Sequence, residues 1–239
     1  MRRLLSEPLL VFRSMSRSQH FYYWVLPLIA GWTFTAMYFS GVAWMQELVA
    51  PTYDREFGLL ENLDALLIVC TLFVLIRTAF LPMRHAFRVA VVLACLVTAL
   101  MVLEEVDYGL HWIERMKGIP PGQGAEIRNI HNQGENTDEL KALGNFILAA
   151  VFVVLPYIDR LKRFRLVKIA SPSKMMAFTV IATAVVALTH QALDPYNLPS
   201  NGALDSNQSE FEELLIYYTF FVYFFERYIH LRRAPGLLK

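Results

Sequence analysis

Six long apolar runs constrain this chain more than any other feature: Phe21–Trp44, Leu59–Phe80, Val89–Leu110, Leu140–Asp159, Met175–Leu193 and Phe211–Tyr228. A helix needs roughly 20 apolar residues to cross the ~30 Å hydrocarbon core of a bilayer. The expected fold is therefore all-α, a polytopic transmembrane helical bundle of six spans. Composition agrees, with 56% of 239 residues hydrophobic, 18% charged and a mean hydropathy of +0.39. A soluble domain carries more charge and interrupts its apolar runs more often.

Residues 1–20 read as a cytoplasmic interfacial segment, 21–230 as the six-helix domain with an outer polar loop at 115–139, and 231–239 as a cytoplasmic tail. The first segment mixes Leu, Val and Phe with Arg2, Arg3, Arg13 and Arg17. That mixture suits a short helix lying in the interface, with a floppy basic tail as the alternative. The first apolar run is too long for a cleavable signal peptide. Cys70 and Cys95 fall inside apolar runs, as buried free thiols rather than a disulfide or metal pair.

Loop charges set the direction. With the N-terminus inside, cytoplasmic segments hold 17 of the 22 basic residues, leaving Arg55, Arg115, Lys117, Arg128 and Lys141 outside. Both termini are expected to be cytoplasmic. The acids divide the other way: only Glu7, Asp159 and Glu226 lie inside, so 18 of 21 lie outside. A net charge of +1 gives no basic stripe for nucleic acid.

Ionisable groups crowd the outward ends of the runs. Glu61 and Asp64 open the second, three residues apart on one face. Glu104, Asp107 and His111 close the third, and helical offsets of three and seven would put them on one face. Glu105 points about a quarter-turn away, and Tyr108 lies between. His190 and Asp194 close the fifth as an i, i+4 pair, and the outer loop adds Asn129, His131 and Asn132. Imidazoles and carboxylates on facing helices can hold a divalent metal. Asp107, His111, His131, His190 and Asp194 would make a nitrogen–oxygen ligand set for zinc or iron. Glu104 or Glu105 would be the base that activates water.

Simpler roles stand beside these. Glu61, Glu212 and Glu213 lie near expected helix starts, where carboxylates complement the dipole. His190–Asp194 reads equally well as a local hydrogen-bonded pair. The basic loop from Arg160 to Lys174 reads first as topology, with anionic-lipid contact second. A transport pathway would continue polar groups toward the cytoplasm, and Val89–Leu100 and Thr179–Leu188 do not.

Two segments carry a resemblance. Glu104-Glu105-Val106-Asp107-Tyr108-Gly109 followed by Asn129-Ile130-His131-Asn132 resembles an uncharacterised family of bacterial multi-pass membrane proteins. That family shows an EEISWGQR-like segment and then NLHN, and Glu56–Glu61 is similar to its acidic-Gly-apolar-Glu lead. The resemblance covers the middle third of the chain. It departs in having Asp107, Tyr108 and His111 where the pattern has Ser, Trp and Arg. It implies a multi-pass protein of the bacterial inner membrane, with no settled activity. Membrane hydrolases related to alkaline ceramidase are similar only in gathering His, Asp and Ser around zinc. Their HxxxH in the last span and their seventh span are missing from this chain.

Together these observations lead to the expectation of a metal-dependent hydrolase or transferase acting on a lipid or lipid-linked substrate. The alternative is a non-enzymatic membrane subunit, a docking or ion-binding protein.

Overall fold

A computed structural model of the protein describes residues 2–51, 58–106, 109, 113–114, 116–119, 144–193 and 205–233. Among these, every regular element is helical. Helix α1 is Arg2–Ser14, so the N-terminal segment is a helix rather than a tail. Arg17–His20, Phe21–Val25 and Leu26–Tyr38 run on as one helix, α2, with a π-helical turn in its middle. Ser16 caps it through a capping box: its Oγ accepts from Gln19 N–H, while its own N–H donates to Gln19 Oε1 at 2.8 Å. Short α3 is Ala43–Val49, and α4 is Leu59–Ala79. Next come α5, His85–Glu105, and α6, Gly144–Tyr157. After a 3-10 turn, Asp159–Arg163, follow α7, Arg165–Ala170, α8, Met176–Leu193, and α9, Asp205–Arg233.

The ends depart from the expected runs for local reasons. The first run was expected to reach Trp44, but α2 stops at Tyr38 and Gly41 turns the chain at φ +68°. Ser40 Oγ stabilises the turn by accepting from Val42 N–H and donating to Met37 O. Helix α3 then folds back, inserting Val49 beside Tyr38, Leu60 and Phe211. The last helix starts six residues before its apolar run.

Helix directions follow from the contacts. Between α2 and α8, Gly31 meets Val186, and four residues further along both helices Thr35 meets His190, so the two run parallel. Between α2 and α9 the order reverses, with Tyr23 bonded to Glu226 and Tyr38 packed on Phe211. Helices α4 and α9 advance together, from Leu60 beside Phe211 to Leu75 and Thr78 beside Arg227 and Leu231. Acidic helix ends therefore collect at one end of the bundle and basic ones at the other.

Among the described residues, two helices, α4 and α5, are long and apolar enough to cross a membrane. Most of α5 stays uncovered, with Leu93, Leu96, Val97 and Leu100 all more than half exposed. Threonines within the apolar helices return their hydroxyls to the backbone four residues back: Thr35, Thr71, Thr78, Thr183, Thr189 and Thr219. That arrangement satisfies a hydroxyl where water is scarce. Gly31 is required by close approach, because a Cβ there would lie 2.6 Å from Val186 Cγ2.

Candidate functional site

Helix α4 begins after Gly58, which puts Glu61 in its first turn, where the dipole favours a carboxylate. Asp64 follows one turn later and is completely buried. It shares the helix face of Leu60, which packs on Phe211 and Leu214 of α9. Glu104 and Glu105 are the last two residues of α5. Glu212 and Glu213 were expected as caps, but α9 begins at Asp205 and places both in its third turn.

Tyr217 joins these groups. One turn beyond Glu213, it donates its hydroxyl hydrogen bond to Glu105 Oε2 at 3.3 Å. That phenol stands in the field of three carboxylates from three helices: Glu105 of α5, Glu213 of α9 and Asp64 of α4. Glu105, which the sequence set about a quarter-turn from the Glu104 face and offered with Glu104 as the base, is the acceptor of this bond. Helix α5 ends at Glu105, with Val106 capping it and Gly109 at φ +77°.

His190 is fixed separately. It is fully buried, its ring edge-on to Phe211 with centroids 5.0 Å apart. Its Nε2 lies 2.6 Å from Thr35 Oγ1, and Thr35 Oγ1 lies 2.7 Å from Gly31 O. A hydroxyl has one proton. With that proton given to Gly31, Thr35 must accept from His190, which assigns the imidazole proton to Nε2 and leaves a lone pair on Nδ1. Nδ1 is buried with no hydrogen-bond partner among the described residues. It is the atom of His190 that could ligate a metal or accept a proton.

Asp107, Tyr108, His111, Asn129, His131, Asn132 and Asp194 lie outside the described residues. Among the described residues, no three His, Cys, Asp or Glu side chains are grouped to hold a metal ion. Of the described carboxylates, Glu105 accepts the Tyr217 hydrogen bond, and Asp64 and Glu213 act on that phenol electrostatically.

Sequence reasoning passed over Tyr217, which is one aromatic among many in its run. Its only mark is the i+4 spacing from Glu213. It also passed over a polar knot at the opposite end. There Glu226 Oε2 accepts from Tyr23 Oη at 3.0 Å and Ser173 Oγ at 2.8 Å, while Arg227 pairs with Oε1. An acid–base pair inside an aromatic run was the available signal, since ionisable groups among apolar residues are costly.

No family model, curated protein or solved structure matches the chain.

Proposed function

We propose that the chain is a six-span protein of the bacterial inner membrane, with both termini cytoplasmic. Its outward end carries a polar site that acts as a metal-dependent hydrolase or transferase on a lipid or lipid-linked substrate. The observation that carries this reading is the hydrogen bond from Tyr217 of α9 to Glu105 of α5, with Asp64 of α4 and Glu213 of α9 near enough to act electrostatically on the same phenol. Such a set can hold or move a proton at a membrane-level site, with Glu105 as base and Tyr217 its hydrogen-bonded partner. The resemblance of the Glu104–Gly109 segment to bacterial multi-pass proteins supports the same placement.

A divalent ion such as zinc would supply Lewis-acid activation of water or of the scissile group. His190 Nδ1 would contribute to its binding, together with Asp107, His111, His131 and Asp194. A second reading, a non-enzymatic ion-binding or docking subunit, is favoured by the uncovered apolar face of α5.

Metal analysis of the purified protein tests the site. Stoichiometric zinc is expected in the wild type and is lost in His131→Ala and His190→Ala. Wild-type protein without metal ends the metal-dependent reading. Metal-loaded protein that turns over no lipid ester or phosphodiester, with Glu105→Gln indistinguishable from wild type, favours the ion-binding subunit.

A further inference from the structure

Two apolar clefts lie end to end along α4, α5 and α9. One, of about 390 Å³, is bounded by Leu75, Phe87, Ala90 and Leu231, with the Arg227 side chain in its wall. The other, of about 260 Å³, is bounded by Ile68, Thr98, Met101 and Tyr217. Ala94 and Phe224 line both, so the clefts form one trench with a waist at that pair. Tyr217 and Arg227 are ten residues apart on α9, about 15 Å of helix rise. That is half of the roughly 30 Å bilayer core, the reach of one leaflet's acyl chain.

The Arg227 end supplies charge. Its side chain is only 14% exposed, and Glu226 occupies Nη2. The Glu226 carboxylate is held in turn by Tyr23 and Ser173, which anchors the pair. Nε is buried with no hydrogen-bond partner among the described residues. A buried donor of a charged group is costly to leave unmet, so it asks for an acceptor. Arg88, Lys168 and Arg232 stand exposed on elements that bound this end, adding a positive field.

We propose that this trench binds one acyl chain of an anionic phospholipid, with the phosphate at Arg227 and the tail directed toward Tyr217. Apolar walls take the tail, and guanidinium is the side chain best matched to a phosphate. The proposal rests on the membrane placement above and not on the chemistry of the acidic end.

The test is photolabelling in nanodiscs with a phosphatidylglycerol analogue carrying a diazirine on its acyl chain, against a phosphatidylcholine analogue with the same chain. Phosphatidylglycerol should label Thr98, Met101 and Phe224 and be displaced by unlabelled phosphatidylglycerol. Arg227→Gln should lower that labelling at least tenfold. Ala94→Trp leaves Arg227 in place and fills the waist, so labelling at Thr98 and Met101 should vanish while Phe87 stays labelled. Equal labelling by both lipids, spread over Leu93, Leu96 and Leu100, would overturn the proposal, as would an Ala94→Trp variant labelled like wild type. Release of the protein from native membranes by carbonate would instead sink the membrane placement itself.

Discussion

At the scale of single residues, the most consequential contact joins Thr35 to His190. The imidazole is completely buried, so its Nε2–H needs an acceptor, and the Thr35 hydroxyl is the one within reach at 2.6 Å. Thr35→Val keeps the shape and removes the acceptor, leaving a buried donor unmet at a cost of about 1–3 kcal/mol. Thr35→Ser keeps the hydroxyl and gives up one methyl, about 0.8 kcal/mol or less. Unfolding in one detergent should therefore rank wild type, Thr35→Ser and Thr35→Val in falling order. A valine variant as stable as wild type would remove the proton assignment at His190. The sequence offers His190 as a metal ligand or as a local partner of Asp194, and contains no route to Thr35, 155 residues away. A hydrogen bond between helices depends on the rotation of each about its axis. Here that rotation follows from the Gly31–Val186 approach one turn earlier, a packing fact that no local pattern contains.

Helices were legible where their apolar runs were long, and their ends were not. Gly41 shows why, since its positive φ turns the chain just past the end of α2, which hydropathy alone would extend. Helix α1 lay between two readings because arginines and apolar residues are mixed along it. Its docking is now specific. Phe12 stacks edge-on to His20 with centroids 4.5 Å apart and meets Phe178 of α8 at 5.3 Å, while Lys174 pairs with Glu7. Aromatic contacts contribute about 0.5–1.5 kcal/mol each beyond burial, against roughly 0.2–1 kcal/mol for a partly exposed ion pair. Phe12→Ala should thus release α1 more than Glu7→Gln, read as faster tryptic cleavage at Arg13 and Arg17. The hydrogen bond to Glu7 raises Lys174 above the ordinary lysine range, outweighing the lowering by partial burial. A raised lysine stabilises fully below its unfolded value of about 10.4 and loses that contribution as pH rises through the folded value. The cleavage rate should accordingly be indifferent to the Lys174 proton across about pH 6–9 and rise only in strong alkali. If Glu7→Gln exposes α1 more than Phe12→Ala does, the ion pair is the principal clamp and this ranking is wrong.

For the whole molecule, the weakest part of the proposed six-span topology is α6. Its 14 described residues, Gly144–Tyr157, rise about 21 Å, against the ~30 Å of the bilayer core. Were α6 not to return the chain, α8 would start at the acidic end and run antiparallel to α2. The paired contacts Gly31–Val186 and Thr35–His190 advance in the same direction along both helices, which excludes that arrangement of the bundle. An even number of passages between α5 and α9 is needed to keep α2 parallel to α8 and antiparallel to α9, and in the proposed topology α6 and α8 supply them. Direction relative to the membrane then rests on basic residues: Arg77, Arg84, Arg160 and Lys174 fall at one end of the bundle with Arg232 and Arg233. A fluorescent reporter fused after Lys239 should light up in the cytoplasm, and an alkaline phosphatase fusion between Gly122 and Glu139 should be active outside. Phosphatase activity at both positions would mean an odd number of crossings, against the helix directions found here. Activity after Lys239 alone would invert the molecule, turning the Asp64–Glu105–Glu213 end inward and moving Arg227 to the outer leaflet.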